Sequence, residues 1–345
     1  MFVRWSNLIE HADEQRRLPG YRDEAIVRHF DAPETLDTRF YEVRARSVLN
    51  RVPARSRMPF SWTINPYRGC SHACVYCFAR PTHSYLGFDA GRDFEREIVV
   101  KVNAPEVLRR ELARPSWKQE HVALGTNTDP YQWVEGRYRL MVGIWEALRD
   151  AAHGAGNPCS VLTKSPLLLR DLPLMLQISQ RTSISASLSI PTLDEHAWRA
   201  TEPHTPNPRA RLEAVAELNR AGIPTGVLIA PLMPGINDSP QQLESLLQGA
   251  IEAGAQSIGG AALHLRGEVK DVFMDWLRTQ RPELVGRYEA LYASGAYAPA
   301  DERKRLARLV RRGGTNSGFR RLPEQTLRSS PPPSEPPVHP QQSLF

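Results

Sequence analysis

An alternation that begins near residue 60 limits the fold more than any other feature of the chain. Short runs rich in β-branched and apolar residues follow one another: "FSWTIN" (60–65), "HVALGT" (121–126), "CSVLTK" (159–164), "SISASLSI" (183–190), "TGVLIAPL" (225–232) and "SIGGAALHL" (257–265). Between them lie amphipathic stretches at 105–114, 137–153, 167–180, 208–221 and 239–253. Strand-length runs separated by helix-length spacers argue for βα units and a parallel sheet. Six such units with right-handed crossovers predict an α/β fold, a partial (β/α)6 TIM-like barrel. In such a barrel the chemistry collects at the C-terminal ends of the strands.

The rest of the chain divides around this barrel, assigned here to residues 59–265. Residues 1–58 read as an N-terminal extension, mixed and basic, in which "RARSVLNRVPARSRMPF" (44–60) looks like an exposed lead-in. Residues 266–315 read as a C-terminal helical segment packed on the barrel. Residues 316–345 form a Pro/Ser-rich tail that is expected to be disordered. At 345 residues the chain has ample material for a core. No run approaches the roughly 20 apolar residues of a membrane span, so no membrane association is expected. The first residues carry early acids and no apolar secretory core. Four cysteines in a chain this long do not make a disulfide framework, which points to the cytoplasm. The net charge of +6 is compatible with nucleic-acid binding without requiring it.

Three of the four cysteines fall in "NPYRGCSHACVYCFARPTH" (65–83), as Cys70, Cys74 and Cys77, close after the first barrel strand. A structural zinc site takes four ligands. His72 or His83 could complete one, but no second pair of ligands follows. Three inert thiols in one loop would be an odd coincidence. A [4Fe–4S] cluster held by three thiolates explains the spacing better. It leaves one iron free for a substrate or cofactor, and Gly69 lets the loop wrap a small cube.

Those cysteine gaps, the aromatic Tyr76 before the third cysteine and the place after strand one resemble the radical S-adenosylmethionine (SAM) superfamily. The resemblance covers about residues 60–265. It implies a [4Fe–4S] cluster held by Cys70, Cys74 and Cys77, and SAM bound at the open iron. It also implies reductive cleavage of SAM to a 5′-deoxyadenosyl radical and an external electron donor of flavodoxin or ferredoxin type. The cofactor carries the hard chemistry; the protein positions and shields it.

Later motifs, "VLTKS", "SLSIPT", "TEPHTPNPRARLEAV" and "AGIPTGVLIAPLMPG", resemble the spore photoproduct lyase-like branch. By that resemblance Lys164 contacts the SAM carboxylate, a sensible partner for a buried cation. Ser189, Glu202, Arg211 and Ala230 (with Pro231) complete the SAM site. Thr128 in "GTNTD" meets the amino end, and Tyr76 packs on adenine.

The departures concern hydrogen transfer, and no catalytic residue is assigned. The lyases carry a cysteine where this chain has Thr126, and a tyrosine where it has Phe78. A threonine O–H is too strong a bond to replace the thiol, and Phe has no O–H. Cys159 precedes Lys164 by five residues on one strand, roughly 16 Å away at about 3.3 Å per residue. It reads as a core thiol.

The last five residues, "QQSLF", resemble the short peptide by which bacterial repair and replication proteins dock on the DNA sliding clamp. Gln341, Leu344 and Phe345 would carry the contact, with two apolar side chains at the tip of a polar tail. About a dozen preceding residues at roughly 3.1 Å each make a tether of about 40 Å. Two functional classes follow. One is a radical enzyme acting on DNA, in repair or base modification. The other acts on a peptide, tRNA or small metabolite, with the tail irrelevant. A non-enzymatic electron carrier would leave Lys164 and the strand-end motifs unexplained.

Overall fold

The protein's structure is a computed structural model, which describes residues 10–30, 37–53, 56 and 58–313. The tail with Gln341, Leu344 and Phe345 lies outside the described residues.

Twelve strands are described. They are β1 (Glu10–Arg16), β2 (Ala25–Phe30), β3 (Arg39–Val43), β4 (Leu49–Arg51), β5 (Trp62–Ile64), β6 (Tyr67–Arg68), β7 (Glu97–Lys101), β8 (Val122–Leu124), β9 (Cys159–Thr163), β10 (Ile184–Ser189), β11 (Thr225–Leu232) and β12 (Ile258–Ala262). The larger sheet runs β12-β11-β10-β9-β8-β5-β4. Its six strands β5, β8, β9, β10, β11 and β12 are parallel, each inside one of the six predicted runs. The sheet is an open, partial barrel, with β12 and β4 at its two edges. Helices Ala104–Leu112, Leu140–Asp150, Leu172–Ser179, Pro208–Arg220 and Pro240–Glu252 cross between strands. Val122, Leu124, Val161, Leu188, Val227 and Ile229 fill the interior with side chains from these helices.

The lead-in expected at 44–60 is not exposed throughout. Val48 is fully buried, and β4 pairs antiparallel with β5, Leu49 opposite Ile64. Glu111 holds this turn: its carboxylate accepts from Ser47 Oγ (2.5 Å) and from the Val48 and Leu49 amides (3.0 and 2.9 Å). The other N-terminal strands build a second sheet, β1-β2-β3-β7-β6. In it β3 runs parallel to β7, which lies in the chain between the cysteines and β8. The cysteine loop therefore connects β6 to β7, two neighbouring strands of this second sheet, shortly after β5 leaves the larger one.

Helices Glu268–Gln280, Val285–Leu291 and Ala300–Gly313 follow the barrel. Leu306 and Val310 enter the barrel core. Val269, Phe273, Met274 and Tyr288 pack in one cluster with Cys74 and Tyr76, so these helices back the cysteine loop. No helix among the described residues is long and apolar enough to cross a membrane.

Candidate functional site

The three cysteines occupy a loop that the protein itself holds in shape. It opens at Gly69, whose φ is +79°. A Cβ there would lie 2.8 Å from Phe94 O and 2.9 Å from the His83 ring, so only glycine fits. The Cys70 amide donates to Phe94 O (2.9 Å), and Gln132 grips both flanks, accepting from Ser71 N and donating to Gly69 O. Arg80, almost fully buried, ties the rest. Its guanidinium donates to Cys74 O (3.1 Å), Ala73 O (3.2 Å), Ala90 O (3.1 Å) and Gly91 O (2.6 Å), and pairs with Glu95 (3.1 Å). The Val75 amide reaches Thr201 O at the end of helix Glu195–Thr201. That bond joins the loop to the segment carrying Glu202.

The strand ends meet around Glu202, which is buried. Lys164, just past β9, donates to Ser189 Oγ (2.7 Å) at the end of β10 and pairs with Glu202 Oε1 (2.8 Å). Arg211, on helix Pro208–Arg220, pairs with Glu202 Oε2 (2.8 Å) and donates to Ser189 O (2.8 Å) and Thr205 Oγ1 (2.5 Å). The Tyr76 hydroxyl donates to Glu202, and Lys164 Nζ lies 5.6 Å from the Tyr76 ring centroid. Burial works to raise the Glu202 carboxyl, but Arg211 and Lys164 outweigh it and hold it at about 2. Five of the expected positions, Tyr76, Lys164, Ser189, Glu202 and Arg211, thus form one connected group beside Cys74 and Cys77.

The remaining two sit one step out. Ala230 accepts from Ser189 Oγ (3.3 Å) and precedes a cis peptide bond to Pro231. Thr128 directs its hydroxyl to Tyr67 O (3.0 Å), tying the end of β8 to the cysteine segment. Gly125 makes this turn possible, since at φ +77° a Cβ would meet Leu162 O at 1.9 Å. Cys159 is buried at the start of β9, as expected.

Sequence reasoning missed Arg80 and Asp129. Asp129 accepts from Thr163 Oγ1 (2.6 Å), Lys164 N (2.7 Å) and Tyr131 N (2.9 Å), joining β8's loop to β9. Both residues lie inside quoted motifs, but bonds to backbone leave no spacing signal.

The donor set fits an iron–sulfur cluster. All three thiols are free, Cys70 and Cys74 buried and Cys77 half-buried. Burial pushes every one of them up, Cys74 to about 12, so as thiolates they need positive charge nearby. Iron would supply it; at Cys74 the Glu202 carboxylate opposes the thiolate while Lys164 and Arg211 favour it, and Arg80 and Lys164 favour that of Cys77. Among the described residues no three His, Cys, Asp or Glu side chains group around a single ion. A cubane needs no such convergence, because each thiolate takes its own iron corner. Of the two histidines weighed for zinc, only His83 is hydrogen-bonded. His83 Nε2 sits 2.8 Å from Glu97 O with its ring against Phe88 and Phe94. Burial holds His72 neutral, down to about 4; its Nδ1 lies 3.4 Å from Asp129, and neither ring nitrogen makes a hydrogen bond among the described residues.

The radical SAM superfamily profile matches residues 64–247, just over half of the chain. This chain belongs to the radical SAM superfamily. The family carries a [4Fe–4S] cluster and SAM, and the three-cysteine loop lies within the matched region. Among curated relatives, "Uncharacterized protein Rv2578c" of Mycobacterium tuberculosis (strain ATCC 25618 / H37Rv) is 47% identical over 293 residues, covering 85% of each chain. "Uncharacterized protein MJ0683" of Methanocaldococcus jannaschii is 28% identical over 199 residues, 57% of this chain and 69% of the relative. The radical SAM fold here is similar to solved structures of spore photoproduct lyase. One, complexed with dinucleoside spore photoproduct, has a TM-score of 0.56 at 15% identity, covering 79% of this chain and 78% of that one. A variant of that lyase with bound AdoMet and the same dinucleoside also scores 0.56, at 17% identity over 79% and 77% of the chains. At such identities the likeness is one of fold.

Proposed function

We propose that this radical SAM enzyme is a cytoplasmic, lyase-like enzyme that acts on DNA, in repair or base modification. The observation that carries the SAM assignment is the single charge network of Lys164, Glu202, Arg211, Ser189 and Tyr76 beside the cysteine loop. When bound, the cluster held by Cys70, Cys74 and Cys77 and the SAM beside it would supply radical chemistry at a substrate C–H bond, with an electron from a flavodoxin- or ferredoxin-type donor. Within the network, Lys164 has three N–H donors. Two are used by Ser189 and Glu202, which leaves the third for the methionine carboxylate of SAM. Arg211 and Lys164 keep Glu202 charged, and Glu202 in turn fixes the Tyr76 ring against which adenine packs. The C-terminal helices behind Cys74 and Tyr76 keep water off that side.

DNA as substrate is favoured by the "QQSLF" ending and by the dinucleoside held in the lyases of the same fold. Exposed Phe78 and Tyr85, close to Cys77 in sequence, add aromatic faces for bases. Burying Leu344 and Phe345 on a clamp gives about 3–5 kcal/mol gross, and ordering the tail reduces this to an affinity on the order of micromolar. The test has two arms. Anaerobically reconstituted enzyme with a strong reductant should form 5′-deoxyadenosine, faster with DNA than with peptide or tRNA. Calorimetry of the clamp with the 329–345 peptide should show binding that Leu344→Ala with Phe345→Ala removes. No heat at hundreds of micromolar peptide, together with no stimulation by DNA, overturns the DNA reading and leaves a peptide, tRNA or metabolite as substrate.

A further inference from the structure

A second site lies outside the SAM network, where the two sheets meet. A cavity of about 320 Å³ opens there, and six cationic side chains line it: Arg22, Arg44, Arg46, Arg51, Arg68 and Lys101. No acid is among its lining residues. The six come from five separate segments. Arg22 precedes β2, Arg44 and Arg46 follow β3, Arg51 ends β4, Arg68 ends β6 and Lys101 ends β7. The fold, not a local run of basic sequence, gathers them.

None of the five arginines forms an ion pair among the described residues. Glu111, the carboxylate felt by Lys101, is spent on Ser47, Val48 and Leu49. Lys101 is only 5% exposed and donates to Asn65 O (2.8 Å). Burial and then Arg68 push its ammonium down to about 7, against a weaker pull from Glu111. Cations gathered with no carboxylate among them repel one another, and an anion between them relieves that repulsion, most of all at the buried Lys101.

We propose that this cavity binds the phosphodiester backbone of a single nucleic-acid strand and sets the strand's path toward the SAM site. Six cations exceed what one phosphate needs, which favours a chain of phosphates over a small anion. Their depth is graded. Arg22, Arg44, Arg46 and Arg51 are exposed at the rim, while half-buried Arg68 and buried Lys101 make the floor. Guanidinium forks match phosphate oxygens in pairs. Half-buried Tyr21 and Asn50 add an aromatic face and an amide for sugar or base. The floor is wired to the SAM site by chain and by hydrogen bond. Arg68 stands two residues before Cys70. Asn65, whose carbonyl Lys101 holds, accepts the Asn127 amide (3.2 Å) next to Thr128.

This inference deepens the DNA reading and rests on it for the choice of occupant. The probe is a labelled single-stranded DNA 15-mer, titrated by anisotropy into the reconstituted full chain at several salt concentrations. Arg44→Gln with Arg46→Gln, both exposed, should remove about two phosphate contacts. At a slope of about 0.7 per contact, the salt dependence should flatten by about 1.4, and affinity at 0.1 M salt should fall about 25-fold. Arg308→Gln with Arg311→Gln, on the C-terminal helix, should change affinity less than threefold. Iron content and SAM binding should be unchanged in both. DNA binding that ignores Arg44 and Arg46 overturns the cavity while sparing the DNA reading. Tighter binding of an RNA of the same sequence, with the same dependence on these arginines, upholds the cavity and overturns DNA as the occupant. Tripolyphosphate bound through these arginines with no strand bound overturns both.

Discussion

Lys164 offers the sharpest test of the SAM assignment. Its Nζ donates to Ser189 and pairs with Glu202 at 2.7 and 2.8 Å, in a place only 14% exposed. A carboxylate arriving at the third N–H makes a charge-assisted bond worth about 1.5–3 kcal/mol. Lys164→Ala removes that bond, so SAM should bind about 10- to 150-fold more weakly. The fold should survive, because Arg211 still balances Glu202 and Asp129 still holds the Lys164 backbone amide. The assay is anaerobic calorimetry of SAM against reconstituted protein, with iron and sulfide counted in the same samples. SAM affinity within threefold of wild type refutes the contact. Loss of iron along with affinity would show that Lys164 supports the loop and not the cofactor.

Four further outcomes are expected. Reconstituted protein should hold about four iron and four sulfide per chain; Ala at Cys70, Cys74 or Cys77 should abolish this, while Cys159→Ala should leave it intact. Glu202→Gln should lower unfolding free energy in urea at neutral pH by about 3 kcal/mol, because it strips a buried counter-charge from Arg211 and Lys164. Gly69→Ala should reduce cluster loading, read from the visible absorbance, because its Cβ collides with Phe94 O; full loading would mean that the loop tolerates a shift. Product assays on a spore-type thymine dimer should show no multiple-turnover repair, since Thr126 and Phe78 cannot return a hydrogen atom; efficient turnover would refute that argument.

The parallel strands were legible because each is an apolar run bounded by a helix of the right length. The cysteine loop was legible because three ligands of one cluster must be close in sequence, and Glu202 with Arg211 through a motif. The second sheet was not. Its strand β1 reads "EHADEQR", without one apolar alternation, and β6 is two residues long. β6 pairs all the same because β7, "EIVVK", buried at all five positions, needs a partner on the edge that β3 does not cover, while β1 is held by β2 alone at the far edge of the sheet. That need arises only in three dimensions. The basic cavity was hidden for the same reason, its six cations being spread from Arg22 to Lys101.

Arg80 has a consequence for the enzyme's life in air. Oxygen strips iron from exposed clusters, and in many small metalloproteins the emptied chain then unravels. Here one guanidinium anchors the carbonyls of Ala73, Cys74, Ala90 and Gly91, none of them a cluster ligand atom. Each of these bonds lowers the conformational entropy that the loop would otherwise regain when iron leaves. The expected outcome of damage by oxygen is thus a loss of cargo more than of architecture, and circular dichroism of chelator-treated protein should keep the signal of the loaded form.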